Sequence, residues 1–182
     1  AVDIEGHPDN VVAALFGGCQ IVVEEEGVLL HQAIPLARDF SAVLFIPDIP
    51  MPTVESRSVL PEQIPMDDAV YNLGRVALLV NSLKTGETDF LRVATKDRLH
   101  QPARAVLVPE LGPALDLEDD DLLGVCLAGA GPSIVALASQ GFDRITKAME
   151  QLYIESNCGV TIRNIAAEPC HVSALTLASR GR

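Results

Sequence analysis

Residues 122–138 constrain the fold most. Two apolar stretches, Leu122–Leu127 and Ile134–Ala138, flank Ala128-Gly129-Ala130-Gly131-Pro132-Ser133. Each stretch has the length and composition of a buried strand. The small residues between them predict a loop whose backbone can approach a ligand closely, with successive N–H groups free to form an anion nest. A plain turn needs only one or two glycines. The loop is not a Walker loop, because no Lys-Ser or Lys-Thr follows. It is not a dinucleotide fingerprint either, having two of the three glycines.

Near the start, Glu5-Gly6-His7-Pro8-Asp9-Asn10-Val11 runs into an apolar segment and then Gly17-Gly18. Pro8 suits the first turn of a helix, with His7 in the cap region, Asp9 and Asn10 in the first turn and the glycines as the stop. Polar side chains at a helix N-terminus suit a polar or anionic small molecule. Strands over 19–23 and 28–33, with an acidic turn at 24–27, predict a hairpin. The acidic run reads as a solvated turn and His31 as structural. Residues 40–46 form a buried-type strand, closed by Pro47, Pro50 and Pro52. The domain change is placed just before it.

Thr53 is expected to cap a short helix that Pro61 ends. Thr53 and Arg57 are four apart, so they share a helix face, and the planar arginine fork matches a carboxylate. In 67–83, Ala69, Leu73, Val76, Val80 and Leu83 recur at helical spacing, predicting an amphipathic helix packed into the core. Residues 89–95 read as another helix, followed by Asp97-Arg98-Leu99-His100-Gln101-Pro102-Ala103-Arg104. His100 titrates near neutrality, as a general base must, but the sequence shows it no partner and it reads as structural. Arg104 is a second candidate contact for a carboxylate. Residues 143–154 form a helix capped by Asp143, with Ile145, Met149 and Leu152 on one face. Strands follow at 160–165 and 171–177. From residue 40 the order predicts an α+β sandwich of ferredoxin-like type, with helices on one face.

The formal charge of −12 and pI of about 4.6 argue against a nucleic-acid backbone or an anionic membrane as partner. They leave room for a local basic pocket. No apolar run approaches the roughly 20 residues of a membrane span. Cys19, Cys126, Cys158 and Cys170 lie far apart, which disfavours zinc and suits a reduced, cytoplasmic chain. The chain opens on Ala1 and runs at once into a motif, so sequence upstream is expected.

Glu5 to Gly18 resembles the substrate-side motif of homoserine kinases, members of the GHMP kinase superfamily. Residues 53–61, with Thr, then Arg four later, then Leu-Pro, resemble that family's next segment. Residues 97–104 resemble its Arg-bearing segment, and 128–133 its Gly-rich third motif. The four lie in the family's order. The resemblance implies that 1–38 is the tail of an N-terminal ribosomal-S5-like domain, contributing its last helix and hairpin. Residues 39–182 would then be the ferredoxin-like C-terminal domain. It implies ATP-dependent phosphorylation of L-homoserine in threonine biosynthesis, with ATP and Mg2+ as cofactors and a homodimer as a further expectation. His7 and Asn10 would contact the amino acid, Thr53 would hold the reacting region, and Arg57 and Arg104 would clamp the α-carboxylate. Gly129, Gly131, Pro132 and Ser133 would lie near the nucleotide phosphates. No catalytic base and no metal ligand is assigned.

One departure matters. The superfamily's Pro-x-x-x-Gly-Leu-Gly-Ser-Ser-Ala phosphate loop is nowhere in the sequence, and the magnesium carboxylate is expected upstream of Ala1. This stretch alone is therefore expected to be inactive. The alternatives are a sister kinase for mevalonate or a sugar, and a non-catalytic amino-acid-binding module derived from a kinase.

Overall fold

The computed structural model describes residues 8–37 and 40–167. Helix α1 (Pro8–Phe16) begins at Pro8, and the chain leaves it through Gly17 and Gly18. Strands β1 (Cys19–Glu25) and β2 (Val28–Ile34) pair antiparallel, with Glu25 opposite Val28. Only Glu26 and Gly27 remain in the turn, at φ of 50° and 75°. Two positive φ values give the turn whose twist matches that of the strands. Glu24 and Glu25 thus belong to β1 rather than to the expected turn. Phe16 of α1 stacks on His31, with ring centroids 4.3 Å apart, which gives His31 its structural role. The hairpin's other face exposes Ile21, Val23, Val28 and Leu30.

The second sheet contains β3 (Phe40–Pro47), β4 (Leu122–Leu127), β5 (Ile134–Ala138) and β6 (Val160–Ala167). Its order is β4-β5-β3-β6, and all pairs are antiparallel. The first strand lies between the third and the fourth, which is the split-βαβ arrangement of ferredoxin-like folds. Between β3 and β4 come α2 (Thr53–Ser58), α3 (Met66–Thr85), α4 (Leu91–Ala94), α5 (Gln101–Arg104) and α6 (Leu111–Leu115). Helix α7 (Phe142–Glu155) joins β5 to β6. The core forms where Val43, Phe45, Val125, Leu127, Ile134 and Ala136 meet Leu111, Ala114, Ile145, Met149 and Tyr153. Tyr153, not Leu152, completes the buried face of α7. It continues the four-residue spacing from Ile145 and stacks on Phe45 at 6.3 Å.

Four local expectations are corrected. Pro52, not Thr53, holds the cap position of α2, at φ −59° and ψ 138°; the chain is still extended there, and Thr53 is already helical. At α7 the chain reverses at Gly141, φ 62°, so the helix starts at Phe142 and Asp143 falls inside the first turn. Its charge still favours that end of the helix. Helices do not keep to one face of the sheet. Gly124 and Cys126 point away from the core face of β4, and α4 packs there. A Cβ at Gly124 would lie 2.7 Å from Thr95 Oγ1 and 3.3 Å from the Leu91 carbonyl, so only glycine permits this approach. Finally, α3 is not core scaffold. Of its 20 residues Ser82 is the buried one, and Met66, Val70, Leu73 and Val76 are exposed, Leu73 at 70%. The strand expected at 171–177 lies outside the described residues.

Stability should follow this burial. Phe45→Ala, at a fully buried position, is expected to cost about 3–5 kcal/mol in urea denaturation. Leu73→Gln should change it by less than about 0.5 kcal/mol, despite the helical periodicity that includes Leu73.

Candidate active site

The site is assembled by the short segment 97–104. Asp97 Oδ2 accepts the N–H groups of His100 and Gln101, both at 2.7 Å, and so caps α5. Its Oδ1 accepts from Asn72 Nδ2 of α3 at 2.5 Å. Burial pushes the Asp97 carboxyl up, but the Gln101, His100 and Asn72 hydrogen bonds outweigh it and leave the pKa lowered. Gln101 is buried, and its Oε1 accepts the N–H of Leu127 at 2.7 Å, at the last residue before the Gly-rich loop.

One turn later, Arg104 is only 8% exposed. Its Nε donates to the Ser56 carbonyl of α2 at 3.2 Å. Its Nη1 donates to the Gly129 carbonyl at 3.3 Å and meets His100 Nδ1 at 3.0 Å. Ser56 Oγ in turn donates to the Ala130 carbonyl at 2.5 Å. Helix α2, helix α5 and the loop are therefore tied together at one point. Burial and the neighbouring Arg57 charge lower the Arg104 pKa, while Asp97 opposes them. Arg104 Nη2 makes no hydrogen bond to the described residues.

The loop has a defined shape. Gly129 and Gly131 lie at φ 57° and 84°, and the Gly131–Pro132 bond is cis. Ala128 N–H donates to the Ser133 carbonyl and Gly131 N–H to that of Ala128. Among the described residues, the N–H groups of Gly129 and Ala130 have no acceptor. The φ of Gly131 favours glycine, and a Cβ there would also press on the side-chain tips of Met51 and Leu127 at about 3 Å.

Residues 81–155 match the family described as GHMP kinases C terminal. That stretch is a GHMP kinase C-terminal segment. The homoserine kinase of Solibacter usitatus is 39% identical over 154 residues, covering 84% of this chain and 51% of that protein. That of Desulfitobacterium hafniense is 43% identical over 148 residues, covering 80% and 50%. The chain thus spans about half the length of the curated relatives it matches. The crystal structure of homoserine kinase from Cytophaga hutchinsonii superposes with a TM-score of 0.77 at 30% identity, over 90% of this chain and 52% of that one.

Along the chain, the residues singled out in the sequence are distributed unevenly. Arg57, Arg104, Gly129 and Gly131 lie on the three segments that Arg104 ties together, and Pro132 and Ser133 complete the loop. Thr53 starts α2. Asn10 is exposed on the first turn of α1. His7 lies outside the described residues. Sequence reasoning passed over Ser56 and Gln101, and it left His100 without the two partners that the fold provides. For His100 and Gln101 the signal is the close spacing 97-100-101-104; for Ser56 the sequence carries none.

Among the described residues of this cluster, His100 is the group whose ordinary pKa lies nearest neutrality. Burial lowers its pKa, Asp97 opposes that and Arg104 adds to it, leaving it below the ordinary value. The unfolded chain therefore binds this proton more readily than the native one. Stability is complete above about pH 6.5 and declines as pH falls towards the native pKa. Asp97 acts at lower pH, its contribution fading below about pH 4. Urea midpoints should fall between about pH 6.5 and 5, and His100→Asn should flatten that limb. Arg104→Met leaves the Ser56 and Gly129 carbonyls unpaired and is expected to cost about 2–5 kcal/mol by denaturation.

Proposed function

We propose that the protein containing this chain is an ATP-dependent homoserine kinase, transferring a phosphoryl group to the side-chain hydroxyl of L-homoserine in threonine biosynthesis. The observation that carries the reading is the placement of Arg57 and Arg104 beside the Gly-rich loop. An amino-acid substrate brings a carboxylate, which needs cationic donors, and Arg104 Nη2 is a donor with no partner among the described residues. A charge-assisted bond of this kind contributes about 1.5–3 kcal/mol. The relatives named homoserine kinase, at 39–43% identity, support the same assignment.

In this reading Arg57 and Arg104 take the α-carboxylate, Thr53 holds the reacting region, and His7 and Asn10 contact the rest of the amino acid. The N–H groups of Gly129 and Ala130 are directed to phosphate oxygens, with Gly131, Pro132 and Ser133 shaping their approach. Phosphoryl transfer depends on positioning and on neutralising charge. The reading assigns the Mg2+ ligands mainly to the part of the protein upstream of Ala1, where the resemblance places the magnesium carboxylate. It also places the domain change at 38/39, with 1–38 as the tail of the N-terminal domain, and assigns the enzyme to the cytoplasm. No helix among the described residues is long and apolar enough to cross a membrane.

The test is ADP release by the full-length protein, with homoserine, mevalonate and galactose offered separately. Turnover is expected with homoserine alone. Arg57→Ala should lower kcat/KM for it by about 10–100-fold, as loss of one charged contact predicts. Residues 1–182 by themselves should show no turnover. Equal rates with mevalonate or galactose would reject the substrate assignment. A folded full-length protein inert with all three would reject the kinase.

A further inference from the structure

We propose that His100 is a positioning residue: its bare Nδ1 holds the Arg104 guanidinium where it can take the substrate carboxylate, and a proton on that nitrogen releases it. The proposal rests on the carboxylate reading of Arg104. A guanidinium carries five N–H donors and no acceptor. The 3.0 Å approach of Arg104 Nη1 to His100 Nδ1 is therefore a bond that arginine donates, and Nδ1 must be unprotonated. The ring proton sits on Nε2, which faces Asp97 Oδ1 at 3.7 Å. Asp97 is itself immobilised by Asn72 and by two backbone N–H groups, so the ring is oriented from one side and acts on arginine at the other.

The surroundings favour the neutral ring. The charges acting on the ring are Asp97 and Arg104. Arg75 and Lys96 line the same cavity of about 200 Å³, which also reaches Cys126 of β4, but the Arg75 guanidinium lies over the Tyr71 ring and donates to the Tyr71 carbonyl. The Cys126 thiol is pushed up to about 11 by burial and stays uncharged. Burial and the Arg104 charge thus oppose one carboxylate whose oxygens already accept three hydrogen bonds. Protonating Nδ1 removes an acceptor from Arg104 and sets two cations in contact. The guanidinium must then turn, and its links to Ser56 and Gly129 move with it. Substrate affinity should fall in acid while phosphoryl transfer from the bound complex changes little.

The experiment measures kcat and KM for homoserine from about pH 5.5 to 8 on the full-length protein, comparing wild type, His100→Asn and His100→Leu. Asn offers an amide oxygen near the Nδ1 position and does not titrate. Wild-type KM should rise about tenfold in acid, with kcat within about twofold. His100→Asn should keep a low, flat KM. His100→Leu should show a raised KM at every pH. Parallel KM profiles for wild type and His100→Asn would overturn the proposal while leaving the kinase reading intact. Long-range 1H–15N spectra of the imidazole supply a readout independent of turnover. The Nε2–H tautomer near neutral pH is expected, and an Nδ1–H tautomer overturns the proposal. If homoserine is not turned over at any pH, the kinase reading fails, and the tautomer decides whether His100 holds Arg104.

Discussion

The Arg104 guanidinium is the interaction on which the site depends. One side chain joins α2, α5 and the Gly-rich loop, through Ser56 48 positions away and Gly129 25 positions away. Placing a cation at 8% exposure costs several kcal/mol unless its donors are matched. Here the match is made by carbonyl dipoles and an imidazole, not by a carboxylate. Carbonyls satisfy the N–H groups but leave the net charge in place. The result is a fixed positive charge in a chain of net charge −12, next to Arg57 and two N–H groups that donate to nothing among the described residues. In the proposed reading an anion, the substrate carboxylate, completes this cluster.

The loop has its shape because it is held at one end and in the middle. At one end Gln101 takes the Leu127 N–H, at the close of β4. In the middle Ser56 Oγ and Arg104 Nη1 take the carbonyls of Ala130 and Gly129. Two consecutive carbonyls bound from behind turn the Gly129 and Ala130 N–H groups away from the protein's own acceptors. The core beneath the loop, Leu127 and Ile134 against Phe45, gives these bonds a rigid base. The chemistry of the loop is therefore a consequence of side chains on α2 and α5, and not of its own sequence alone.

This division explains what was legible in the sequence. Strands 122–127 and 134–138 could be read to the residue, because apolar runs of that length between turn residues have few alternatives. Helix α6 was missed because Leu111 to Leu115 is a single turn with no period to detect. The Asp97-His100-Gln101-Arg104 cluster was readable as a set of polar residues but not as a network. Its partners are backbone carbonyls and an N–H supplied by distant segments, and a backbone atom leaves no trace in residue identity. Helix α3 misled for the opposite reason. Its periodicity is genuine, but periodicity reports that a face is apolar, not what covers it.

The uncovered surfaces share one physical problem. A two-stranded hairpin is marginal in water, and α1 covers only one of its faces. Ile21, Val23, Val28 and Leu30 on the other face gain nothing from folding as they stand. The stripe Met66, Val70, Leu73 on α3 is in the same position, and the hairpin's exit is tied to that helix by the Ala37 N–H on the Leu83 carbonyl. The four-stranded sheet needs no such help, since its central residues are fully buried. Stability and apolar exposure therefore separate along the chain near the proposed 38/39 boundary, with α3 as the element of the second unit that faces the first. In relatives about twice as long there is protein enough to cover both surfaces. In the proposed kinase that cover would also decide how closely Asn10 and α1 approach Arg57 and Arg104, which α2, α5 and the Gly-rich loop hold together.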